Sequence, residues 1–417
     1  MAENSADQGN SFPWQPGTAT GIGSLPGTDP LAAARTVITE LPDFPHLAEL
    51  PARGPGADMI GRTAGLLVDI AVETTPRGWR LSSDRPGKDL RRARSMLSQD
   101  LDALEEVLDG YNGLLKVQVV GPWTLAATME QTHSLKPALA DPGAVADLTA
   151  SLAEGLAAHA AEVAKRVPGA RLVVQVDEPA LPAAIEGRVP TPSGLSLVRA
   201  VDEEIIRARL RTVLAAVAPP SEALPGHALP GHARPGQALS SEAPPSEAIP
   251  LAVPPPGEAA PRPSASRYYT VVHCCGWPVP FGIVRGVGAD GVSFDLSQLR
   301  RGDWDILAET AEAGLGLLVG VPSAAPDSER AVSARGASPV PRAPADGPAS
   351  ATPERLARSV ADVWRHMGLP PGTCAPQVVI TPACGLAGAS PAEAEAALRR
   401  AREAARILPE IMEEQRS

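Results

Sequence analysis

Cysteine is scarce here: four residues in a chain of 417. A secreted scaffold stapled by disulfides is excluded on that count. Aromatics are scarcer still relative to size, at 3 % of residues, so aliphatic side chains must build the core. No apolar run reaches the length that spans a bilayer. Residues 1–17 are polar and lack the basic and apolar regions of a secretion signal. Positive charge is in deficit: the net charge is −11, which argues against a nucleic-acid or anionic-membrane partner. The expectation is a soluble cytoplasmic protein with reduced thiols and a core large enough for one big domain.

What is present is a series of short β-branched runs, each followed by a helical pattern. Strands are expected near residues 20, 46, 117, 173, 271, 293, 317 and 379. Helix signals lie between most of them. Asp29-Pro30, Asp141-Pro142 and Ser390-Pro391 read as N-caps followed by Pro in the first turn. Further helices are expected over 58–72, 90–108, 195–217, 280–287, 304–313 and 353–367. Eight alternating units predict an α/β fold, a single (β/α)8 TIM-type barrel, with a doubly wound open sheet as the alternative. Two stretches, 219–266 and 323–352, are rich in Pro, Ala, Gly and Ser and bury nothing; they read as disordered insertions. His227 and His232 sit in the first of these and read as part of a low-complexity repeat rather than as ligands. The domain plan is therefore a flexible tail, 1–17, and one barrel, 18–417.

Chemistry-bearing residues collect at the ends of the expected strands, where such folds place their sites. Three of the four cysteines, Cys274, Cys275 and Cys384, are there. His273 and Cys275 alternate with Cys274, so in an extended strand they share a face and Cys274 points away. Asp295 closes the sixth expected strand. One imidazole, two thiols and one carboxylate drawn from three strands form a four-ligand set suited to catalytic zinc. Asp177-Glu178 closes a buried strand, where a pair of carboxylates is costly without partners. Ser24, in a Gly-Ser turn after Gly21 and Gly23, can donate to a carboxylate, and Asp177, with Glu49, can hold an ammonium. The pocket suits a small amino acid bearing a thiol. Trp123 can stack on a flat ligand or pack internally; His46 and His159 read as structural.

Taken together, Ile22-Gly23-Ser24, Gln175-Val176-Asp177-Glu178-Pro179-Ala180-Leu181, His273-x-Cys275, Ala289-Asp290-x-x-Ser293-x-Asp295 and Pro382-x-Cys384-Gly385-Leu386 resemble the C-terminal catalytic barrel of the cobalamin-independent methionine synthases. The resemblance implies a short form of that family, without its N-terminal half. It implies zinc-dependent methylation of the homocysteine sulfur. Ile22, Gly23 and Ser24 would bind the homocysteine carboxylate, and Asp177 and Glu49 its amino group. His273, Cys275, Asp295 and Cys384 would hold zinc. The methyl donor would be a methyl-folate or a methylcobalamin carrier. The chain departs from the family pattern in several places. Asp295 stands where the family has Glu. Val321-Pro322-Ser323 replaces the segment with its proton-donating His. Thr128 occupies the place of a folate-stacking Trp, and Ala183 that of a folate-contacting Glu. Other expectations are an alkyl-thiol transferase with a different donor or acceptor, and a barrel without catalysis.

Overall fold

Residues 12–83, 87–217, 268–323 and 352–415 are described by a computed structural model. The expected insertion 219–266, with His227 and His232, lies outside the described residues, as does nearly all of 323–352. The described residues form one compact unit; Ala218–Arg267 falls outside them.

In chain order the elements begin with α1 (Pro30–Glu40), α2 (Met59–Ala64), the hairpin β1 (Ala71–Thr75) and β2 (Gly78–Ser82), and α3 (Lys88–Val107). There follow β3 (Leu114–Val120), α4 (Pro122–Thr128), α5 (Pro142–Arg166), β4 (Arg171–Asp177), α6 (Leu181–Ile185) and α7 (Glu203–Ala216). The last part holds β5 (Tyr269–Cys274), α8 (Phe281–Gly286), β6 (Gly291–Asp295), α9 (Trp304–Glu312), β7 (Gly316–Val321), α10 (Pro353–His366), α11 (Pro371–Gln377), β8 (Val378–Pro382) and α12 (Pro391–Glu414). The expected caps form. Asp29 and Asp141 each accept from two backbone N–H groups, and Ser390 and Glu393 make a reciprocal capping box.

A six-stranded parallel sheet runs β3-β4-β5-β6-β7-β8, neighbours in space being neighbours in sequence. A doubly wound sheet reverses its order at a switch point; this one never does, which removes the open-sheet alternative. Six strands stand where eight were expected. The first two segments make single parallel bridges instead. Ala19 bridges Ile380 of β8, Ser24 bridges Glu49, and His46 bridges Lys116 of β3. Each bridge carries a pair of ladder bonds, for example Thr20 N–H to Ile380 O at 3.1 Å, Leu25 N–H to Glu49 O at 2.9 Å and Lys116 N–H to Pro45 O at 2.9 Å. The shortening has a local cause. Gly21 and Gly23 bring no side chains to hold a ladder, and Pro26, Pro45 and Pro51 bring no N–H.

Two other expectations need correction. The helix expected over 58–72 stops at Ala64, and the chain turns through Asp69, at φ +58°, into the β1–β2 hairpin. Thr74 and Thr75 favour a strand, and Gly78, at φ +137°, takes the turn. The helix expected from residue 195 starts at Glu203, capped by Asp202.

Alternate residues of the parallel strands face opposite ways. Outward residues such as Val117, Val174, Val272, Val292, Leu317 and Ile380 join the main core under the helices. Inward residues at the strand N-terminal ends form a separate apolar cluster: Leu114, Val173, Val271, Leu318 and Val379, with Trp14 and Phe44. Trp14 falls within the stretch expected to be a tail, yet it is buried, with ring centroids 5.1 Å from Tyr269 and 6.4 Å from Phe44. Its Nε1–H donates to Pro376 O at 3.0 Å. The N-terminal end of the concave face is thus plugged, and polar chemistry is confined to the other end.

Candidate active site at the strand C-terminal ends

Further along the inward face the side chains become polar. Lys116 and Gln118 on β3, Gln175 and Asp177 on β4, His273 on β5 and Ser293 and Asp295 on β6 are all buried. Register places Asp177 beside His273, and His273 beside Ser293.

Most of these buried polar groups are partnered, although Gln118 Oε1 is left without a hydrogen bond. The Lys116 ammonium donates to Ile22 O at 2.7 Å and to Gln175 Oε1 at 2.9 Å. The Gln175 amide donates to Ile22 O at 3.0 Å and to Asp177 Oδ1 at 2.7 Å. Gln118 Nε2 donates to Leu47 O at 2.7 Å and to Glu49 Oε1 at 3.2 Å, and Arg62 lies 3.9 Å from the same carboxylate oxygen. Ser24 is half-buried, and its carbonyl accepts from Leu386 N–H at 2.8 Å. Its hydroxyl packs so closely on Gly385 that a Cβ there would come within 2.1 Å. Gly23 is similarly tight, because a Cβ would lie 2.9 Å from Gln118 Nε2. Glycine at these two positions lets the loop, the Cys384 turn and β3 approach one another.

The electrostatics show which charges face each other. Burial, then the neighbouring Glu49, hold the Asp177 carboxyl well above its usual range, against Lys116 and Gln175. Glu49 is raised by burial, opposed by Arg62, Gln118 and Lys116. Burial lowers Lys116 to about 8, while Asp177 and Glu49 pull it back up. His273 is lowered to about 3 by burial and then by Lys116. Its Nδ1 is 2.9 Å from the Ser293 hydroxyl, which leaves Nε2 for another partner.

The two thiols meet. Cys384 lies within hydrogen-bonding reach of Cys275 and is the main cause, before burial, of that thiol's strongly raised pKa. Cys275 follows β5 and Cys384 follows β8. Three strand spacings of a flat sheet would separate them by roughly 14 Å, so their contact requires the sheet to curl. Cys275 is half-buried and Cys384 exposed, whereas Cys274 points into the core, as the alternation predicts. Asp295 is placed differently from the thiols. Its Oδ1 accepts from Ser297 N–H at 2.9 Å and from the Ser297 hydroxyl at 2.6 Å, and Gln298 Nε2 is 3.4 Å from Oδ2. Among the described residues, no three His, Cys, Asp or Glu side chains stand together in metal-binding geometry.

The Asp177-Glu178 pair divides. Asp177 faces the site, while Glu178 points outward and is wholly buried. It accepts from Trp123 N–H at 3.0 Å, Thr124 N–H at 2.8 Å and the Thr124 hydroxyl at 2.7 Å, at the start of α4. Burial still raises it to about 7. Trp123 is 1 % exposed and packs internally; the exposed aromatic ring at this end is Trp277, with the Arg300 guanidinium 3.6 Å above it. His46 and His159 are buried and held neutral, each lowered to about 3. Lys116 and Gln118 escaped the reading of the sequence as site residues. Their signal was there: two polar residues at alternate positions of the apolar run Leu-Leu-Lys-Val-Gln-Val-Val.

Residues 17–218 match the family model described as cobalamin-independent synthase, catalytic domain. Over that stretch, just under half of the chain, the sequence is similar to the cobalamin-independent synthases. The matched stretch contains Ile22, Gly23, Ser24, Glu49 and Asp177; His273, Cys275, Asp295 and Cys384 lie beyond it. No curated protein sequence matches the chain. Among solved structures, a B12-independent methionine synthase from Shewanella sp. W3-18-1, in complex with selenomethionine, is similar at a TM-score of 0.50 and 12 % identity. The similarity covers 96 % of this chain and 99 % of that one. At that identity the likeness concerns the fold shared with a cobalamin-independent synthase.

Proposed function

We propose that the chain is a zinc-dependent methyltransferase of the cobalamin-independent synthase family that methylates the homocysteine thiol to form methionine. In this reading the two bridging segments complete a (β/α)8 barrel around the inward face. The observation that carries it is the meeting of Cys275, after β5, and Cys384, after β8, near Asp177. Two thiols and an imidazole whose Nδ1 is already held by Ser293 fit a thiophilic divalent cation, with Nε2 as the ligand atom. Asp295 would be the fourth donor, with Ser297 orienting one oxygen; since no three of these side chains stand in metal-binding geometry among the described residues, the set would have to draw together around the ion. Zinc so bound supplies the charge that keeps a substrate thiol as thiolate at neutral pH.

The chain's own residues do the rest. Asp177 and Glu49 accept the substrate ammonium, and the Ile22-Gly23-Ser24 loop takes its carboxylate. That fixes the sulfur at the thiol end of the pocket. The sulfur lone pair then forms the S–CH3 bond while the bond from methyl to donor breaks, its electron pair leaving with the donor. A folate leaving nitrogen must gain a proton, and Val321-Pro322-Ser323 offers no imidazole for it. Loss of a positioned acid costs about 100- to 10,000-fold. A methyl-cobalt donor needs no such proton, so methylcobalamin is the donor this sequence favours. A reducing cytoplasm suits the free thiols, and among the described residues no helix is long and apolar enough to cross a membrane.

The test is metal content and methionine formation with each donor. About one zinc per chain, with methionine formed from homocysteine, is expected. Reduced protein that neither contains nor takes up zinc would sink the enzyme reading.

A further inference from the structure

We propose that Lys116 is a positioning residue that ties the two halves of the amino-acid pocket together through Gln175. The proposal rests on the functional reading above and concerns binding of the substrate's amino-acid end.

Lys116 is 0 % exposed. A buried ammonium is costly unless fully engaged, and this one reaches the two elements that would meet the substrate. One bond goes to the Ile22 carbonyl, in the loop assigned to the carboxylate. The other goes to Gln175 Oε1. That second bond settles which way the Gln175 amide points. With Oε1 facing the ammonium, both amide hydrogens turn to Ile22 O and Asp177 Oδ1. The reverse orientation would set the amide oxygen against a carbonyl and a carboxylate, and its NH2 against an ammonium. Gln175 therefore has its acceptor and both donors in use. Ile22 O accepts two hydrogen bonds, and Asp177 is held by one oxygen with Oδ2 left for a ligand. Loop and carboxylate are locked relative to each other by one buried cation.

A residue acting this way controls recognition of the amino group rather than metal binding. The test compares L-homocysteine with its analogue lacking the amino group, by calorimetric titration of the zinc-loaded full-length protein. The wild type is expected to favour homocysteine by about tenfold or more, the worth of a charged hydrogen bond. In Lys116→Met that preference should collapse to within about threefold, with zinc content unchanged. Gln175→Glu is the companion variant; it keeps an acceptor for Lys116 but cannot donate to Asp177, and should lose the preference as well. It also carries the test if Lys116→Met does not fold. Folded variants that keep the wild-type preference would overturn the proposal. Wild-type protein that binds no homocysteine would overturn the functional reading, and this inference with it.

Discussion

The two ends of the inward sheet face are built from the same strands and differ in everything else. At the N-terminal end, Leu114, Val173, Val271, Leu318 and Val379 meet Trp14 and Phe44 in a dry cluster. Two to four residues further along, Lys116, Gln175, Asp177 and His273 form a buried polar cluster. The first end can be bought with hydrophobic area alone and tolerates any residues that fill the volume. At the second, each group must find a partner, because an unmatched buried charge costs several kcal/mol. The plug should therefore carry stability and the polar end chemistry.

Five substitutions test that division. The largest effect is expected for Cys275→Ser and Cys384→Ser. Each should drop zinc from about one per chain to near zero and reduce methionine formation by more than the roughly 10- to 100-fold that an outer-shell change costs. The fold should persist, as read by circular dichroism. Retention of zinc by either variant would break the three-strand assignment.

Next is Trp14→Ala, which empties the plug. Denaturant titration should show a loss of about 3–5 kcal/mol. Zinc per folded chain should stay unchanged; if it fell, the two ends would not be separable. Ser293→Ala comes third. It removes the hydroxyl that holds His273 Nδ1, and competition with a chelator should show zinc bound roughly 10- to 100-fold more weakly.

At neutral pH the smallest effect belongs to His159, buried in α5, whose contribution shows only in acid. Burial and then Arg62 lower it from 6.5 to about 3. Between those values the unfolded chain binds the proton and the folded chain does not. Stability therefore falls as pH drops through that window and is unaffected above it, by about 1.4 kcal/mol per pH unit for one full proton. His159→Phe should flatten the acid limb by that amount without touching zinc or substrate binding. An unchanged slope would mean that the imidazole is not held neutral.

Much of the site was legible because its signals are local. Alternation put His273 and Cys275 on one face and Cys274 in the core, and the buried Cys274 agrees. Caps at Asp29, Asp141 and Ser390 were equally plain. Adjacent carboxylates were harder: Asp177 and Glu178 look alike in sequence, yet one faces the site and the other holds the start of α4. For Trp123 the sequence left stacking on a ligand and internal packing both open; its burial decides for packing. The shortening of the first two strands had a visible local cause in Gly21, Gly23, Pro26, Pro45 and Pro51, but how many bridges remain depends on the partners β3 and β8, which are far away in the chain.

By itself the sequence determined the parallel alternation of strands and helices, the aliphatic core and the set of chemical groups at the strand ends. Those follow from side-chain period and capping, which act within a few residues. Tertiary structure decided that Cys275 meets Cys384, that Glu178 is structural, and that Lys116 spans Ile22 and Gln175. These contacts join residues separated by between 54 and 109 positions in the chain. They exist because the sheet curls, and curl arises from the twist and packing of the whole sheet.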